Sequence, residues 1–282
     1  MATPKSISTI KSFAVLRAFR HRGETLTNAQ LSRRTGLPAS SVRRLLLTLS
    51  EIGAVERAAP ASYRLGPLLH SLGRSAHVLD CLLGAARAPL GDLHRRLGLP
   101  VTLAVLDGHM THYLDVLARD SACHVEKDAR YESYSSASGR ILLASLSSQQ
   151  IDKFLADGEL IALTPFTVTA SGRFRAELEK VRCQGFAVEC EETRIGLGCV
   201  AGPIKDDYGR TLAAICVSDE AFKLKASRIQ TLVGEIAKVS SEVRRSLFPV
   251  ADAISNAGRR APASPLADAA PLAHVRWGTA AE

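Results

Sequence analysis

The segment from Thr27 to Ile52 constrains the fold of this chain more than any other. Apolar residues recur every three to four positions in "NAQLSRRT" and again in "ASSVRRLLLTLSEI", which predicts two amphipathic helices. Thr27 is placed to cap the first helix, Gly36 to end it in a left-handed conformation, and Pro38 to stop it from continuing. Ser40 is the expected cap of the second helix, which runs to about Ile52. Two short helices joined by a glycine-containing turn are typical of a helix-turn-helix.

The second helix begins with polar and basic side chains. Its apolar residues repeat with a period of 3.6 and face a core, and they are Val42, Leu45, Leu46, Leu49 and Ile52. Ser41, Arg43 and Arg44 therefore point away from that core, together with Thr48. In a helix-turn-helix, the N-terminal residues of the second helix reach base edges in the major groove. Arginine forks suit guanine edges or phosphates, and serine hydroxyls can bond phosphates or bases. The candidate DNA contacts of this helix are Ser40, Ser41, Arg43 and Arg44.

The residues on either side complete a winged helix. Residues 7–21 predict a first amphipathic helix. Its apolar stripe is expected to contain Ile7, Ile10, Phe13, Ala14, Leu16 and either Ala18 or Phe19. After Gly53, the runs Ala54–Arg57 and Ser62–Leu65 are joined by a proline-containing turn and predict a small hairpin, the wing. Arg57 and Arg64 on this hairpin are placed to contact the DNA backbone.

The positive charge of the chain is concentrated at this end. Residues 1–75 contain 12 lysines and arginines and 3 glutamates, a net charge of +9, whereas the remainder contains 24 basic and 25 acidic residues, a net charge of −1. A small basic domain on a nearly neutral body indicates contact with a polyanion. From the charge alone, the alternative is that these basic residues form a solvated surface that contacts no polyanion.

The composition also divides the chain into regions. Residues 1–66 form the expected winged helix-turn-helix domain. Residues 67–98 are mostly helical and rich in leucine, which predicts an interdomain helix and a self-association surface; packing on the second domain is the alternative. Residues 99–250 form the expected body. Residues 251–282, rich in alanine and proline, have too little patterned apolar content to hold a fold and are expected to be disordered.

The body has the pattern of an α+β domain. Two strand-like runs flank Asp107-Gly108, which predicts a hairpin, and Ser147 with Gln150 predicts a capping box before another helix. The segments "FAVECEE", "CVAGPIKD" and "TLAAICVS" follow a further amphipathic helix and predict strands. Residues 226–246 predict a terminal helix. We expect an antiparallel sheet with helices on at least one face.

Sequence motifs of catalysis, metal binding and membrane insertion are not found. The N-terminus lacks a secretion signal, and no window approaches the roughly 18 apolar residues of a membrane span. The six cysteines are scattered without a C-x-x-C pair, which favours reduced, mostly buried thiols in a cytoplasmic protein over disulfides or a metal site. "GLGCVAG" precedes Pro203 and a strand, where a nucleotide-binding loop needs a helix. We therefore expect no enzyme activity, no cofactor and no metal.

Taken together, these segments resemble the IclR family of bacterial transcriptional regulators over residues 7–248. The resemblance is carried by "LSRRTGLPASSVRRLLLTLSEIGAVER" and "YRLG" in the first domain, and by "SSASGRILLASLS", "GFAVECEETRIGLGCVAGPIKD" and "GRTLAAICVS" in the body. It implies an N-terminal winged helix-turn-helix and a C-terminal effector domain of GAF-like build. It also implies homodimers or homotetramers that change their affinity for operator DNA when a small organic acid binds.

The resemblance further implies an effector site in the body. Carried over by position, that site contains Ala137, Ser138, Glu189, Cys199, Cys216 and Ser218. The helix start at Ser138-Gly139 offers N–H groups to a carboxylate, and Tyr131 with the thiols makes the walls less polar, which favours an aromatic or longer-chain acid. Cys216 replaces a common serine, Glu189 a common aspartate, and Arg140-Ile141 the usual Lys-Ala, which leaves the ligand's identity open. The alternative is that these positions merely pack the sheet.

Three functions are compatible with the sequence. The first is a ligand-responsive regulator that binds double-stranded DNA. The second is a constitutive or scaffolding DNA-binding protein whose body has no ligand, an option that Cys216 leaves open. The third is an enzyme with an appended DNA-binding domain, which would need a nucleophile, base or metal constellation that the body does not show.

Overall fold

The computed structural model describes residues 6–21, 23–75, 78–118 and 125–249. The chain divides into two compact units, Met1–Val78 and Leu79–Glu282. The tail 251–282, which the sequence predicts to be disordered, lies outside the described residues.

The first unit consists of helices around a small three-stranded sheet. Its helices are α1 (Ile7–Arg17), α2 (Asn28–Thr35), α3 (Ala39–Glu51) and α4 (Pro67–Ser75), and its strands are β1 (Leu26–Thr27), β2 (Val55–Ala59) and β3 (Ser62–Leu65). Strands β2 and β3 form the expected wing, and β1 pairs antiparallel with β3 on its other side. The sequence analysis missed β1, because two residues carry no periodic signal.

Local signals around the helix-turn-helix are mostly confirmed. The Thr27 hydroxyl accepts from the Gln30 N–H at 3.3 Å while Gln30 Oε1 accepts from the Thr27 N–H at 2.8 Å, so α2 begins with a capping box. Gly36 ends α2 with φ of +71°. The expectation that Ser40 caps α3 is wrong: Pro38 occupies the cap position without a side-chain hydrogen bond, and Ser40 already lies in the first turn.

The apolar stripe expected on α1 is confirmed at its C-terminal end and wrong at its N-terminal end. Ile7 and Phe13 are 66% and 59% exposed, whereas Val15, Ala18 and Phe19 are buried. The helix ends at Arg17, and only its last turn and the residues after it pack into the core of this unit. A helical period identifies which residues share a face, but it does not say how much of the helix the core covers.

Arg34, a half-buried residue of α2, holds the loop after α1 in place. Arg34 on α2 donates to the Ala18 carbonyl at 2.8 Å and forms a 2.8 Å ion pair with Glu24. Glu24 also accepts from the Arg20 N–H at 2.6 Å. The hydrogen bond from Arg34 is the main reason why the pKa of the Glu24 carboxyl falls to about 2. Arg34 therefore joins α2 to the end of α1 within the unit.

The second unit is an antiparallel sheet between two layers of helix. Its strands are β4 (Val101–Asp107), β5 (Met110–Leu117), β6 (Arg130–Glu132), β7 (Ala187–Cys190), β8 (Leu197–Lys205) and β9 (Thr211–Glu220), and its helices are α5 (Val78–Leu97), α6 (Ala137–Ala144), α7 (Ser148–Asp157), α8 (Ser171–Gln184) and α9 (Ala226–Leu247). The strand order is β6-β5-β4-β9-β8-β7. The predicted hairpin at Gly108, the capping box of Ser147 with Gln150 and the last three strands are confirmed.

The two faces of this sheet differ in side-chain size. One face presents valine, leucine and isoleucine side chains, such as Leu103, Ile215 and Val217, to helices α5 and α9. The opposite face presents smaller residues, including Ala104, Ala201, Ala214, Cys199 and Cys216, to helix α6. Helices therefore cover both faces, and the face under α6 has less of its volume filled by the sheet's own side chains.

The structure bears on two further expectations, one about a membrane-spanning helix and one about the burial of the cysteines. Among the described helices, none is long and apolar enough to cross a membrane. The five described cysteines are free thiols, but only Cys199 and Cys216 are buried. Cys81 and Cys183 are exposed on α5 and α8, so the expectation of mostly buried thiols is wrong. The sixth, Cys123, lies outside the described residues.

Candidate functional site

Helix α3 presents one polar face to solvent. Val42, Leu46 and Leu49 are buried in the core of the first unit. The exposed residues on the other side include Ser40, Arg43, Arg44, Leu47 and Thr48, and Ser41 is half-buried. The structure thus places the four predicted contacts of this helix within its first two turns, and three of them are exposed.

Two side-chain hydrogen bonds hold the turn before α3. The Asn28 amide donates to the Ala39 carbonyl at 3.2 Å, which ties the start of α2 to the start of α3. The Ser32 hydroxyl donates to the Leu37 carbonyl at 2.6 Å within the turn itself. The direction in which α3 projects from the unit is therefore set by its own turn.

The wing carries the other two predicted contacts. Arg57 is exposed, with its guanidinium 6.0 Å from the centre of the Tyr63 ring. Arg64 donates to Glu56 at 2.6 Å. The Glu56 carboxylate offsets much of the charge on Arg64, so Arg57 is the better placed of the two to meet a phosphate.

In the second unit, strand register brings the predicted effector residues into rows on the face under α6. Glu189 pairs with Cys199, and Cys199 pairs with Ser218 on the next strand. The neighbouring row contains Cys216, which pairs with Ala201 on one side and Thr102 on the other. Because paired residues point to the same side of a sheet, these side chains share one face.

Helix α6 begins above this face. Ser136 is its cap, and the Ser136 hydroxyl accepts from the Gly139 N–H at 3.0 Å. An α-helix has no internal acceptor for its first N–H groups. The Ser136 cap occupies the Gly139 N–H, so the expectation that Gly139 offers this group to a carboxylate is wrong. Ala137 and Ser138 contribute the N–H groups that remain available to an anion.

Buried polar atoms without partners gather around the same face. Among the described residues, the side-chain oxygens that lack a hydrogen-bond partner include Thr102 Oγ1, Ser138 Oγ, Thr193 Oγ1 and Glu189 Oε2. Buried polar groups in native proteins are nearly always hydrogen-bonded. A cluster of unsatisfied donors and acceptors on a face of small side chains has the chemistry of a site for a small polar molecule.

Tyr113 on β5 belongs to this group, although the sequence analysis did not select it. Its side chain is 3% exposed. Burial raises the pKa of its phenol, as do the nearby thiols of Cys216 and Cys199, while the hydroxyls of Ser136 and Ser138 act in the opposite direction. Tyr113 therefore lies close to both the start of α6 and the two thiols, in one cluster with Ala137, Cys199 and Cys216. Strand alternation in "MTHYLDVL" is the signal that could have identified it, since Tyr113 pairs with Ala104 of the same face.

Tyr131, which the sequence analysis did select, is more peripheral. It lies on the edge strand β6 and is 37% exposed. Its ring contacts that of Tyr113 edge to face, with 5.8 Å between centroids. Tyr113 thus stands between Tyr131 and the interior of the site.

Two groups of the site, the Glu189 carboxyl and the Cys199 thiol, have a raised pKa. Glu189 is fully buried, and burial raises the pKa of its carboxyl despite hydrogen bonds from the N–H groups of Glu192 at 2.7 Å and Thr193 at 3.0 Å. A hydrogen bond with Cys216, together with burial, raises the pKa of the Cys199 thiol well above its usual value. Cys199 Sγ also lies 3.4 Å from the Ser218 hydroxyl.

Arg140 lies next to the site but its charge is used elsewhere. It is 2% exposed and forms a buried ion pair with Glu192. Its Nε donates to the Tyr134 carbonyl at 3.3 Å, and a terminal nitrogen donates to the Val188 carbonyl at 3.5 Å. Arg140 therefore ties α6 to β7 and the loop after it, and a buried charge of this kind is retained only with its partner.

Family models match both units. Residues 8–59 match the IclR helix-turn-helix domain, and residues 76–245 match the model described as "Bacterial transcriptional regulator IclR C-terminal". With the fold described above, these matches define a transcriptional regulator that carries a DNA-binding domain and an effector domain. The chain belongs to the IclR family, as the resemblance indicated.

Individual relatives agree with this assignment. The Pca regulon regulatory protein of Pseudomonas putida is 30% identical over 226 residues, 79% of this chain and 77% of that protein. The crystal structure of Thermotoga maritima IclR covers 85% of this chain and 98% of its own, with 27% identity and a TM-score of 0.56. An IclR homologue from Microbacterium hydrocarbonoxydans, crystallised with 4-hydroxybenzoate, shares the fold at 22% identity, with coverage of 86% and 99% and a TM-score of 0.56.

The start of α6 depends on Gly139. A Cβ at this position would lie 1.9 Å from the Ser133 carbonyl oxygen, a backbone atom that cannot move alone. We predict that Gly139→Ala destabilises the second unit by about 3 kcal/mol, measured by urea unfolding. Gly234→Ala is the matched control, because nothing lies within 4 Å of a Cβ there in the interior of α9, and it should leave stability unchanged or raise it by about 0.5–1 kcal/mol. Equal stability of the two variants would contradict the close approach of α6.

Proposed function

We propose that this regulator recognises an operator through α3 and the wing, and that a small organic acid bound under α6 sets its affinity for DNA. The observation that carries the first half is the exposed polar start of α3 on a unit whose sequence, residues 1–75, holds a net charge of +9. Phosphate contacts from such a unit supply salt-dependent affinity, and base contacts supply specificity.

The proposed DNA contacts differ in the part of the duplex that each can reach. Arg43 and Arg44 lie in the first two turns of α3, where a recognition helix meets base edges. Ser40 and Ser41, one turn earlier, suit phosphate or base contacts. Arg57, on the wing, suits the backbone of the flanking duplex. The turn hydrogen bonds of Asn28 and Ser32 fix this arrangement before DNA binds.

We predict that Arg43→Ala or Arg44→Ala lowers operator affinity by about 1–3 kcal/mol for the arginine that reads a base, and reduces the slope of affinity against salt by about one for an arginine that contacts phosphate. Fluorescence anisotropy at several salt concentrations measures both effects. Arg173→Ala is the control for lost charge, since Arg173 is exposed on α8 of the second unit. Wild-type affinity in both α3 variants would show that the recognition helix is assigned wrongly.

The second half of the proposal is supported by the polar cluster under α6. A ligand carboxylate fits the N–H groups of Ala137 and Ser138 and the Ser138 hydroxyl, because a helix N-terminus favours an anion. The Tyr113 phenol lies beside this end and can donate a further hydrogen bond. Glu189, fully buried with one oxygen unpaired, suits a hydroxyl group at the other end of the ligand.

The walls favour an aromatic or longer-chain hydroxy acid. The sheet under α6 is lined by alanines and by Cys199 and Cys216, and Tyr113 packs in the same cluster. These groups are apolar or weakly polar, and they suit the face of a ring more than a second charged group. The presence of 4-hydroxybenzoate in a protein of this fold is compatible with that ligand class.

We predict that an acid of this class, tested first with 4-hydroxybenzoate and related hydroxybenzoates, raises the melting temperature of the full chain and binds in calorimetry. Ser138→Trp fills the proposed site and should abolish that binding. Ser145→Trp is the matched control, because Ser145 is exposed at the opposite end of the same helix. Equal affinity of the wild type and Ser138→Trp would place the site elsewhere. For the acid to act as a switch, it must bind one DNA-affinity state better than the other; a tenfold preference shifts the equilibrium by about 1.4 kcal/mol.

We also propose that the chain forms homodimers or homotetramers. Large apolar side chains are exposed on α1 and α4 of the first unit, namely Ile7, Phe13 and Leu72, and Leu79 is 44% exposed at the start of the second. Paired half-sites give a regulator of this size more specificity than one winged domain can.

We predict that sedimentation velocity at micromolar concentration shows a dimer or tetramer. Phe13→Glu, which places a charge on the exposed face of α1, should shift the distribution towards smaller species. A monomeric wild type, with or without DNA, would contradict self-association.

A further inference from the structure

One exposed side chain of α3 does not match the polar face on which it lies. Leu47 is 62% exposed. Its neighbours on the same side of the helix are Arg43 one turn before it, Arg44 three residues before it and Thr48. None of the hydrophobic clusters in the described part of the chain includes Leu47. The core of the first unit therefore does not account for a leucine here.

The helical geometry places Leu47 near the middle of the exposed face. Each residue advances about 100° around an α-helix. Leu47 then lies about 40° beyond Arg43 and about 60° short of Arg44, on the side roughly opposite to the buried Val42, Leu46 and Leu49. When a recognition helix lies in the major groove, its outer face is the one that can reach base edges. Leu47 lies on that face of α3, one turn after Arg43.

The charged residues around Leu47 indicate which kind of partner covers this side chain. A second copy of this surface would bring two pairs of arginines together, and like charges without a counter-ion repel at close range. A polyanion neutralises the same arginines. The charge around Leu47 therefore favours nucleic acid over a second copy of this surface.

The chemistry of the groove then restricts what Leu47 can touch. Guanine, adenine and cytosine present hydrogen-bonding groups there, and an apolar side chain would desolvate them without replacing their hydrogen bonds. The C5 methyl of thymine is an apolar group in the same groove. Burying one methyl against another is favourable.

We propose that Leu47 reads the C5 methyl of a thymine in each half-site of the operator. This inference rests on the DNA-binding function proposed above. The arginines are three and four residues before Leu47, which corresponds to about 4.5–6 Å along the helix and so to one or two base-pair steps. The thymine therefore lies one or two base pairs from the position that Arg43 or Arg44 contacts.

The experiment isolates the methyl group. Operator sequences are selected in vitro with the full-length chain, and each thymine of the selected duplex is then replaced in turn by deoxyuridine, which removes only the methyl. Fluorescence anisotropy gives the affinity of wild type, Leu47→Ala and Leu163→Ala for every duplex. Leu163 is the matched control, a 47% exposed leucine of the second unit. Circular dichroism checks that the variants keep the helix content of the wild type, since alanine is the better helix former at an exposed position.

The expected result is one thymine per half-site whose replacement lowers wild-type and Leu163→Ala affinity about fourfold, equivalent to about 0.8 kcal/mol. Leu47→Ala should bind the thymine and deoxyuridine duplexes equally well. The inference is overturned if the selected half-site contains no thymine whose methyl matters, or if that methyl matters equally in Leu47→Ala. A selection that yields no preferred sequence would instead overturn the proposed operator recognition, and this inference with it.

Discussion

The close approach of α6 to the backbone at Ser133 is the constraint on which the effector unit depends. Only a residue without a side chain can occupy position 139, because a Cβ there would overlap the Ser133 carbonyl. That contact brings the start of α6, with the Ser136 cap and the Ser138 hydroxyl, down to the small side chains of the sheet. It also directs Arg140 inward, where its buried ion pair with Glu192 connects α6 to the loop after β7. A larger residue at 139 would separate the helix from the groups with which it forms the site.

The two faces of the large sheet differ in what their side chains contribute, and the proposed ligand site lies on only one of them. The face under α5 and α9 is filled with branched aliphatic side chains, and burial of that area supplies most of the hydrophobic stabilisation of the unit. The face under α6 has alanines and cysteines in its place, and in the described part of the chain four buried side-chain oxygens around it lack a hydrogen-bond partner. Unpaired buried groups cost stability, so a site of this kind persists because the opposite face holds the sheet. Glu189 and Thr193 lie on the strand and loop that Arg140 and Glu192 hold, and a ligand that engages them would act on a loop already joined to α6.

In the DNA-binding unit, arginines at different positions also have different roles. Arg34 is directed inward by Glu24 and the Ala18 carbonyl and holds the end of α1, whereas Arg43 and Arg44 are exposed on α3. The difference follows from position: Arg34 is beside a carboxylate supplied by the loop after α1, and the two α3 arginines are on the side of the helix opposite the core. Net charge measures the attraction to a polyanion, but the structure decides which cations can reach it.

The sequence by itself determined the features that depend on a few neighbouring residues. The capping boxes of Thr27 with Gln30 and Ser147 with Gln150, the left-handed turn at Gly36 and the hairpin at Gly108 were all predicted, because their hydrogen bonds or backbone angles involve positions at most a few residues apart. The family and the fold class also followed from the sequence, through motifs spread over both domains.

Only the tertiary structure decided which faces are covered and which distant groups meet. It exposed Ile7 and Phe13 and put Pro38, not Ser40, at the start of α3. It also placed Tyr113 near both the start of α6 and the thiols, and paired Arg140 with Glu192, 52 residues away. Periodicity tells which side chains share a face of one element, but burial and long-range pairing depend on how the elements pack against one another, which no local pattern contains.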